Sequence, residues 1–111
     1  MSNYFWNRED NSYPKATDRN AWAKWFENIE NRRVKVSKAG QGYYVSTVFL
    51  GIYHGWNEEE PLLFESMVFN DDIKVENDMC TRHRTYEEAI EGHHQILSNL
   101  EKKWGKYVNS N

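Results

Sequence analysis

Two apolar runs separated by a short polar gap mark the centre of this chain. Together they extend from Tyr43 to Phe69, in the sequence YYVSTVFLGIYHGWNEEEPLLFESMVF. Both runs are rich in residues that favour a pleated surface, while Gly55, Asn57 and Pro61 interrupt the pattern between them. This arrangement predicts an antiparallel hairpin.

The patterns around the hairpin predict the other strands. Charged residues alternate with valines between Arg33 and Lys38, which is typical of a half-solvated edge strand. The strand that begins at Tyr43 and continues to Ile52 has apolar residues on both faces and is therefore predicted to be central. The run from Leu62 to Phe69 is its neighbour, and a weaker run from Ile73 to about Arg84 supplies a last strand.

One helix is predicted on each side of the strands. Asp18 can cap the first helix, which ends near Asn31. Its apolar residues fall at helical spacing on a single stripe formed by Trp22, Trp25, Phe26 and Ile29. The second helix starts at the capping box Thr85-Tyr86-Glu87-Glu88 and ends near Gly105.

These elements predict an α+β fold. A helix is followed by a three- to four-stranded antiparallel sheet, a meander, and then by a C-terminal helix packed on the sheet. Residues 18–108 form the single domain, which a chain of 111 residues can fill with one core. Residues 1–17 form a polar segment whose order the sequence does not define, and residues 109–111 are a tail.

Composition limits the classes of function. The 14 basic and 17 acidic residues give a formal charge of −3, so no broad cationic surface is available for general nucleic-acid binding. The single cysteine, Cys80, excludes an intramolecular disulfide and a multi-cysteine zinc site and fits a reducing cytoplasm. No secretion signal and no membrane span is recognisable. We therefore expect a cytoplasmic protein without a membrane partner.

Four histidines raise the possibility of a metal site: His54, His83, His93 and His94. His93 and His94 are adjacent, so on a helix they point about 100° apart instead of facing one metal ion. His93 also shares the apolar stripe of its helix, which favours a core histidine. We predict neither a metal nor a cofactor.

Glu65 lies in an apolar strand, where an ionised carboxylate needs a partner. It is either exposed, paired with a nearby arginine, or part of a polar pocket. The hypothetical pocket is formed by His54, Glu65, Arg82, Arg84 and His93. Such a pocket suits a nucleotide-like ligand, because arginine binds phosphate and a Trp or Tyr can stack on a base.

A catalytic interpretation has less support. His54 or His83 would act as the general base, with Glu65 as its orienting carboxylate, in a small hydrolase acting on a nucleotide. No nucleophile is evident, because Cys80 has no activating motif and the serines and threonines of the strands do not lie at a sharp turn.

The acidic connection Glu58-Glu59-Glu60 is either a solvated loop or a surface that contacts a basic partner protein. Trp56 precedes it and is a candidate anchor, because tryptophan dominates many interfaces. Trp6 and Trp104 are further candidates, and core packing is the simpler interpretation for all three tryptophans. Exposed aromatic residues and an edge strand also leave a homodimer possible.

Four segments occur in an order that resembles a family of small bacteriophage and prophage proteins: WAKWFENIENRRV, VSTVFLGIYH, PLLFESMVF and RHRTYEEAIEGH. They cover about residues 21 to 97. His83 stands where that family has an aromatic residue, and Ser66 where threonine is commoner. The resemblance implies a phage or prophage origin, and it brings no activity with it.

Small phage proteins act inside the infected bacterium, so the resemblance implies the cytoplasm of a bacterial host. We expect a non-catalytic accessory protein that counters host defence. It would either sequester a nucleotide-like immune signal in the hypothetical pocket or dock directly on a host immune protein.

Overall fold

The computed structural model describes residues 2–56, 59–71, 73–75 and 80–109. The strands are β1 (Ser2–Asn3), β2 (Arg33–Lys38), β3 (Tyr43–Phe49), β4 (Ile52–Tyr53), β5 (Phe64–Asn70), β6 (Ile73–Lys74) and β7 (Thr81–His83). The helices are α1 (Arg19–Glu27) and α2 (Tyr86–Trp104), and a 3-10 turn spans Ile29–Asn31. The fold is α+β with α2 packed on the sheet, which confirms the predicted fold class.

The main sheet is built around the predicted hairpin. β3 pairs antiparallel with β5 along its whole length, so that Phe49 lies opposite Phe64 and Tyr43 opposite Asn70. β2 pairs antiparallel with the other side of β3 and is an edge strand, as its alternating pattern predicts. The position predicted for one last strand is occupied by β6 and β7, which both pair with β5. The central part of that predicted strand, residues 76–79, lies outside the described residues.

The central strand ends earlier than its apolar pattern predicts. Gly51 has a φ of +75°, a conformation that side chains with a Cβ rarely adopt, and the chain leaves the main sheet there. The following strand, β4, pairs antiparallel with β1 in a small second sheet. The prediction of a continuous strand to Ile52 was therefore wrong.

Both helices begin where the sequence predicts. The Asp18 carboxylate accepts hydrogen bonds from the first turn of α1, and the Thr85 hydroxyl accepts from the Glu88 N–H at 3.1 Å. α1 ends at Glu27, earlier than predicted, and the 3-10 turn covers the remaining residues. α2 ends at Trp104, and Gly105 follows with a φ of +85°.

The core lies between the sheet and α2. Val45 and Val68 of the sheet pack against Ile96 and Leu100 of the helix. A second, aromatic cluster at the other end contains Tyr4, Trp6, Phe49, Leu63, Phe64 and Ala89. Residues 2–17 thus contribute buried aromatic side chains to the core. Trp6 is one of them, in agreement with the simpler interpretation of its sequence.

The opposite face of the sheet, called here the open face, carries the side chains that alternate with those packed against α2. Its apolar side chains come from β2, β3 and β5: Val36, Tyr44, Val48, Met67 and Phe69. Val36 is 44% exposed, and the rings of Tyr44 and Phe69 stack at 5.2 Å. The molecule therefore has two layers, with one sheet face turned outward.

Candidate functional site

Glu65 forms an ion pair on the open face. It lies directly opposite Arg82 in the pairing of β5 with β7, and the Arg82 Nε donates to Glu65 Oε2 at 2.7 Å. The Glu65 side chain is 18% exposed and that of Arg82 is 59% exposed. Glu65 therefore lies on the outward face of its strand and is paired with an arginine, which are the two alternatives to the polar pocket.

Arg84 has different partners. Its guanidinium lies 2.9 Å from Glu60 and 3.8 Å from Glu88. A cavity of about 300 Å³ opens beside it, and three carboxylate side chains line its wall, those of Glu59, Glu60 and Glu88. This acidic lining disfavours a phosphate group, because like charges repel.

The two histidines of the hypothetical pocket lie elsewhere. His93 is fully buried between α2 and the sheet, on the face opposite to Glu65. His54 is exposed beyond β4, a strand of the small sheet. The prediction that His54, Glu65, Arg82, Arg84 and His93 converge in one pocket was therefore wrong. The reason is strand alternation: Glu65 points away from the face that α2 covers.

His93 instead belongs to a buried chain of hydrogen bonds. Its Nε2 lies 2.8 Å from Ser37 Oγ, and its Nδ1 lies 2.7 Å from Thr47 Oγ1. Thr47 Oγ1 in turn lies 2.6 Å from Ser66 Oγ. These four residues, here called the hydroxyl network, connect α2 to β2, β3 and β5. Sequence reasoning treated Thr47 and Ser66 as strand formers and did not find the network.

The Ser37–His93 pair resembles a nucleophile with its general base, but its electrostatics are unsuited to catalysis. Burial, with a smaller effect of the nearby Lys35 and His94, lowers the pKa of His93 from 6.5 to about 4. Thr47 occupies the Nδ1 position where a catalytic histidine commonly has a carboxylate. A ring that resists protonation is a poor base at neutral pH, so the network favours a structural role.

His83, the other proposed base, packs against α2. Burial lowers its pKa, although Glu88 opposes this effect, and its Nε2 lies 2.8 Å from Thr81 Oγ1. The ring lies so close to Gly92 that a Cβ there would be 2.4 Å from His83 Cε1. Its position is therefore explained by packing.

A groove lies at the end of the sheet where β2 turns into β3. Its volume is about 710 Å³. The side chains on its walls include four aromatic rings and two lysines, from Tyr43, Tyr44, Trp104, Tyr107, Lys38 and Lys106. We call it the aromatic groove. A volume of this size falls in the range of about 300 to 1,000 Å³ typical of ligand pockets.

The turn between β2 and β3 and the C-terminal segment form the two sides of the aromatic groove. Gly40 donates its N–H to the Gly105 carbonyl at 2.7 Å, and Ala39 pairs with Lys106 in an isolated antiparallel bridge. A Cβ at Gly40 would be 2.3 Å from the Trp104 carbonyl oxygen, so only glycine permits this approach. The turn sequence Ala39-Gly40-Gln41-Gly42 therefore brings the two sides together.

Aromatic stacking holds the walls of the groove in place. The rings of Tyr43 and Trp104 stack at 4.4 Å with an interplanar angle of 8°. The Lys38 ammonium lies 5.0 Å from the centre of the Tyr107 ring, in a cation–π contact. Tyr107 is 49% exposed, and Asp71 adds one carboxylate to the lining. The groove thus presents aromatic surface with a slight excess of positive charge.

The loop that carries the proposed docking residues projects outward. Trp56 is fully exposed, Glu59 and Glu60 are exposed, and Glu58 lies outside the described residues. Trp104, by contrast, is half-buried in its stack with Tyr43. Trp56 is therefore the tryptophan of the three proposed anchors that is available to a partner.

Within the described part of the chain, no group of three or more His, Cys, Asp or Glu side chains is arranged to hold a metal ion. The same residues include no helix that is both long enough and apolar enough to span a membrane. Comparison with family models, with curated proteins and with solved structures found no match to this chain.

Proposed function

We propose that this protein is a non-catalytic binding protein that sequesters a nucleotide-like ligand in the aromatic groove. The ligand class is the one suggested by the sequence, but the site is different, because the residues first considered do not converge. The observation that carries the proposal is the combination of four aromatic side chains and two lysines around one groove of about 710 Å³.

The chemistry of the lining fits a nucleotide in two respects. A purine or pyrimidine ring stacks on the face of a tyrosine or tryptophan, and the partly exposed Tyr107 offers such a face. The ammonium groups of Lys38 and Lys106 provide charge for a phosphate. Binding of this kind needs no nucleophile and no general base, in keeping with the protonation-resistant His93.

The biological setting rests on the resemblance to small phage and prophage proteins. In that setting the ligand is a nucleotide signal of bacterial immunity, and the protein counters host defence in the cytoplasm of the bacterium. Removing the signal by tight binding lowers its free concentration without any turnover.

Calorimetry against cyclic and ADP-ribose-derived nucleotides tests the proposal. We expect heat of binding with at least one of them, and a loss of affinity of about tenfold in Lys38→Ala and in Tyr107→Ala. Lys24→Ala, which removes an exposed lysine of α1, is the matched control and leaves the affinity unchanged.

Two results would contradict this function. The first is the absence of heat with every nucleotide of the panel. The second is a loss of affinity in Arg84→Ala but not in Lys38→Ala, which would move the site to the acidic cavity beside β7. Turnover of a nucleotide that disappears in His54→Ala would instead support a hydrolase.

A second candidate function is inhibition of a host immune protein by direct docking through the loop around Trp56. The full exposure of this tryptophan, next to Glu59 and Glu60, favours it. Copurification from infected bacteria is the test. A host protein retained by the wild type and lost in Trp56→Ala supports docking, whereas equal retention by both excludes this loop.

A further inference from the structure

The open face has the chemical composition of a protein interface. Its centre is formed by Tyr44, Met67 and Phe69, and tyrosine, methionine, phenylalanine and arginine are enriched where proteins associate. The stacked rings of Tyr44 and Phe69 are already held against each other at 5.2 Å. Such preorganised side chains lose little conformational freedom when a partner covers them.

The charges at the rim of the open face indicate which kind of partner it accepts. Lys38 lies at one end, on β2, and Arg82 lies at the other, on β7. Both side chains are exposed, whereas the Glu65 carboxylate between them is 18% exposed and already bound to Arg82. Arg33 lies opposite Val48 and is a third cation on this face. The described side chains of the open face thus include three cations and one anion, the opposite balance to the net −3 of the whole chain.

From this arrangement we infer that the open face docks a protein segment with an apolar stripe flanked by carboxylates, such as an acidic amphipathic helix. The stripe covers Tyr44, Met67 and Phe69, and the carboxylates face Lys38 and Arg82. A second copy of this chain is the less favoured occupant, because its identical face would bring cations against cations. The open face shares Lys38 and Tyr44 with the lining of the aromatic groove, whereas Val36, Met67, Phe69 and Arg82 lie outside that lining, so variants at these four positions test the inference separately from the proposed ligand.

Two synthetic helical peptides with the same apolar stripe provide the probe. One has glutamates beside the stripe and the other has lysines at the same positions. Fluorescence anisotropy measures the binding of each to the full chain. We expect the glutamate peptide to bind at least about tenfold more tightly than the lysine peptide at low salt, with the preference decreasing as salt is added.

Variants assign the binding to this face. Met67→Glu, at its centre, raises the Kd of the glutamate peptide at least about tenfold, and Val36→Glu on the exposed edge strand is a second variant of the same kind. Arg82→Gln reduces the preference for glutamate several-fold. Lys102→Glu, on the exposed side of α2, is the control and leaves binding unchanged.

Three outcomes would overturn the inference. The first is that the two peptides bind equally or not at all. The second is that Met67→Glu and Val36→Glu, shown to be folded by near-UV circular dichroism, bind the glutamate peptide as well as the wild type does. The third is that sedimentation shows a wild-type dimer that is lost in Val36→Glu. In the last case the occupant of the open face is a second copy of the chain.

Discussion

Nδ1 of His93 lies 2.7 Å from Oγ1 of Thr47, in the fully buried space between α2 and β3. Through this contact the hydroxyl network fixes the position of the helix over the sheet. Among the described residues, no buried side-chain nitrogen or oxygen lacks a hydrogen-bond partner. A completely satisfied polar network specifies one packing arrangement, whereas removing one member leaves the others unpaired in an apolar environment.

Replacing His93 with alanine should therefore lower the free energy of unfolding by about 2 to 4 kcal/mol, because it creates a cavity and leaves the Thr47 and Ser37 hydroxyls without their partner. Urea denaturation measures the change. His94→Ala removes the exposed neighbour and should stay within about 0.5 kcal/mol of the wild type. Equal losses in the two variants would show that the network does not stabilise the fold.

The depressed pKa of His93 predicts how stability depends on pH. The folded protein holds this ring neutral down to a pKa of about 4, whereas the usual value is 6.5. Between these pH values the unfolded chain binds a proton that the folded chain does not. The contribution of His93 to the free energy of unfolding is therefore fully present above about pH 6.5. As the pH falls towards 4, this contribution is lost, by on the order of 3 kcal/mol.

The non-titrating variant His93→Gln isolates this contribution. Denaturation of both proteins from pH 7 to pH 4 should show a steeper loss of stability in the wild type. Parallel curves would mean that His93 titrates at the same pH in the folded and unfolded chains.

Gly92→Ala should destabilise the protein by about 1 to 3 kcal/mol, although the helix propensity of alanine is better than that of glycine by about 1 kcal/mol. The reason is the His83 ring, whose Cε1 would lie 2.4 Å from the new methyl group. In the His83→Ala background the same substitution should become neutral or stabilising. A double-mutant cycle by thermal denaturation measures the coupling, and additive effects would contradict the clash.

Glu65→Gln should lower stability by less than about 1 kcal/mol, because the Arg82 side chain is 59% exposed and solvent screens the pair. Urea denaturation at low and at high salt measures this effect. A loss above about 2 kcal/mol that is insensitive to salt would show that the Glu65–Arg82 pair is shielded from solvent and contributes as a buried ion pair.

Local sequence patterns were sufficient to predict most elements of the fold. The alternation at Arg33–Lys38, the β-rich runs and the capping residues Asp18 and Thr85 each depend on neighbours in the sequence, and each element appears at its predicted position. The strand at Tyr43–Phe49 was too long in the prediction because its apolar pattern continues past Gly51. The turn at that glycine depends on β1, which no local signal predicts.

The candidate sites could not be derived in the same way, because they depend on distant residues. The aromatic groove forms where Gly40 meets the carbonyl groups of Trp104 and Gly105, which are far away in the sequence. Part of the hydroxyl network could have been predicted from the sequence. Alternation places Thr47 on the same face as Val45 and Phe49, so a polar side chain facing the core was a signal for a buried partner.

The N-terminal aromatic residues set the order in which this protein can fold during its synthesis. The Tyr86 N–H donates to the Tyr13 hydroxyl across 73 residues of sequence, and Trp6 stacks on Tyr86. Until the start of α2 has left the ribosome, Trp6 lacks its stacking partner and the Tyr13 hydroxyl lacks its N–H donor. The aromatic residues at positions 6 and 13 therefore reach their final packing only after the start of α2 has been made.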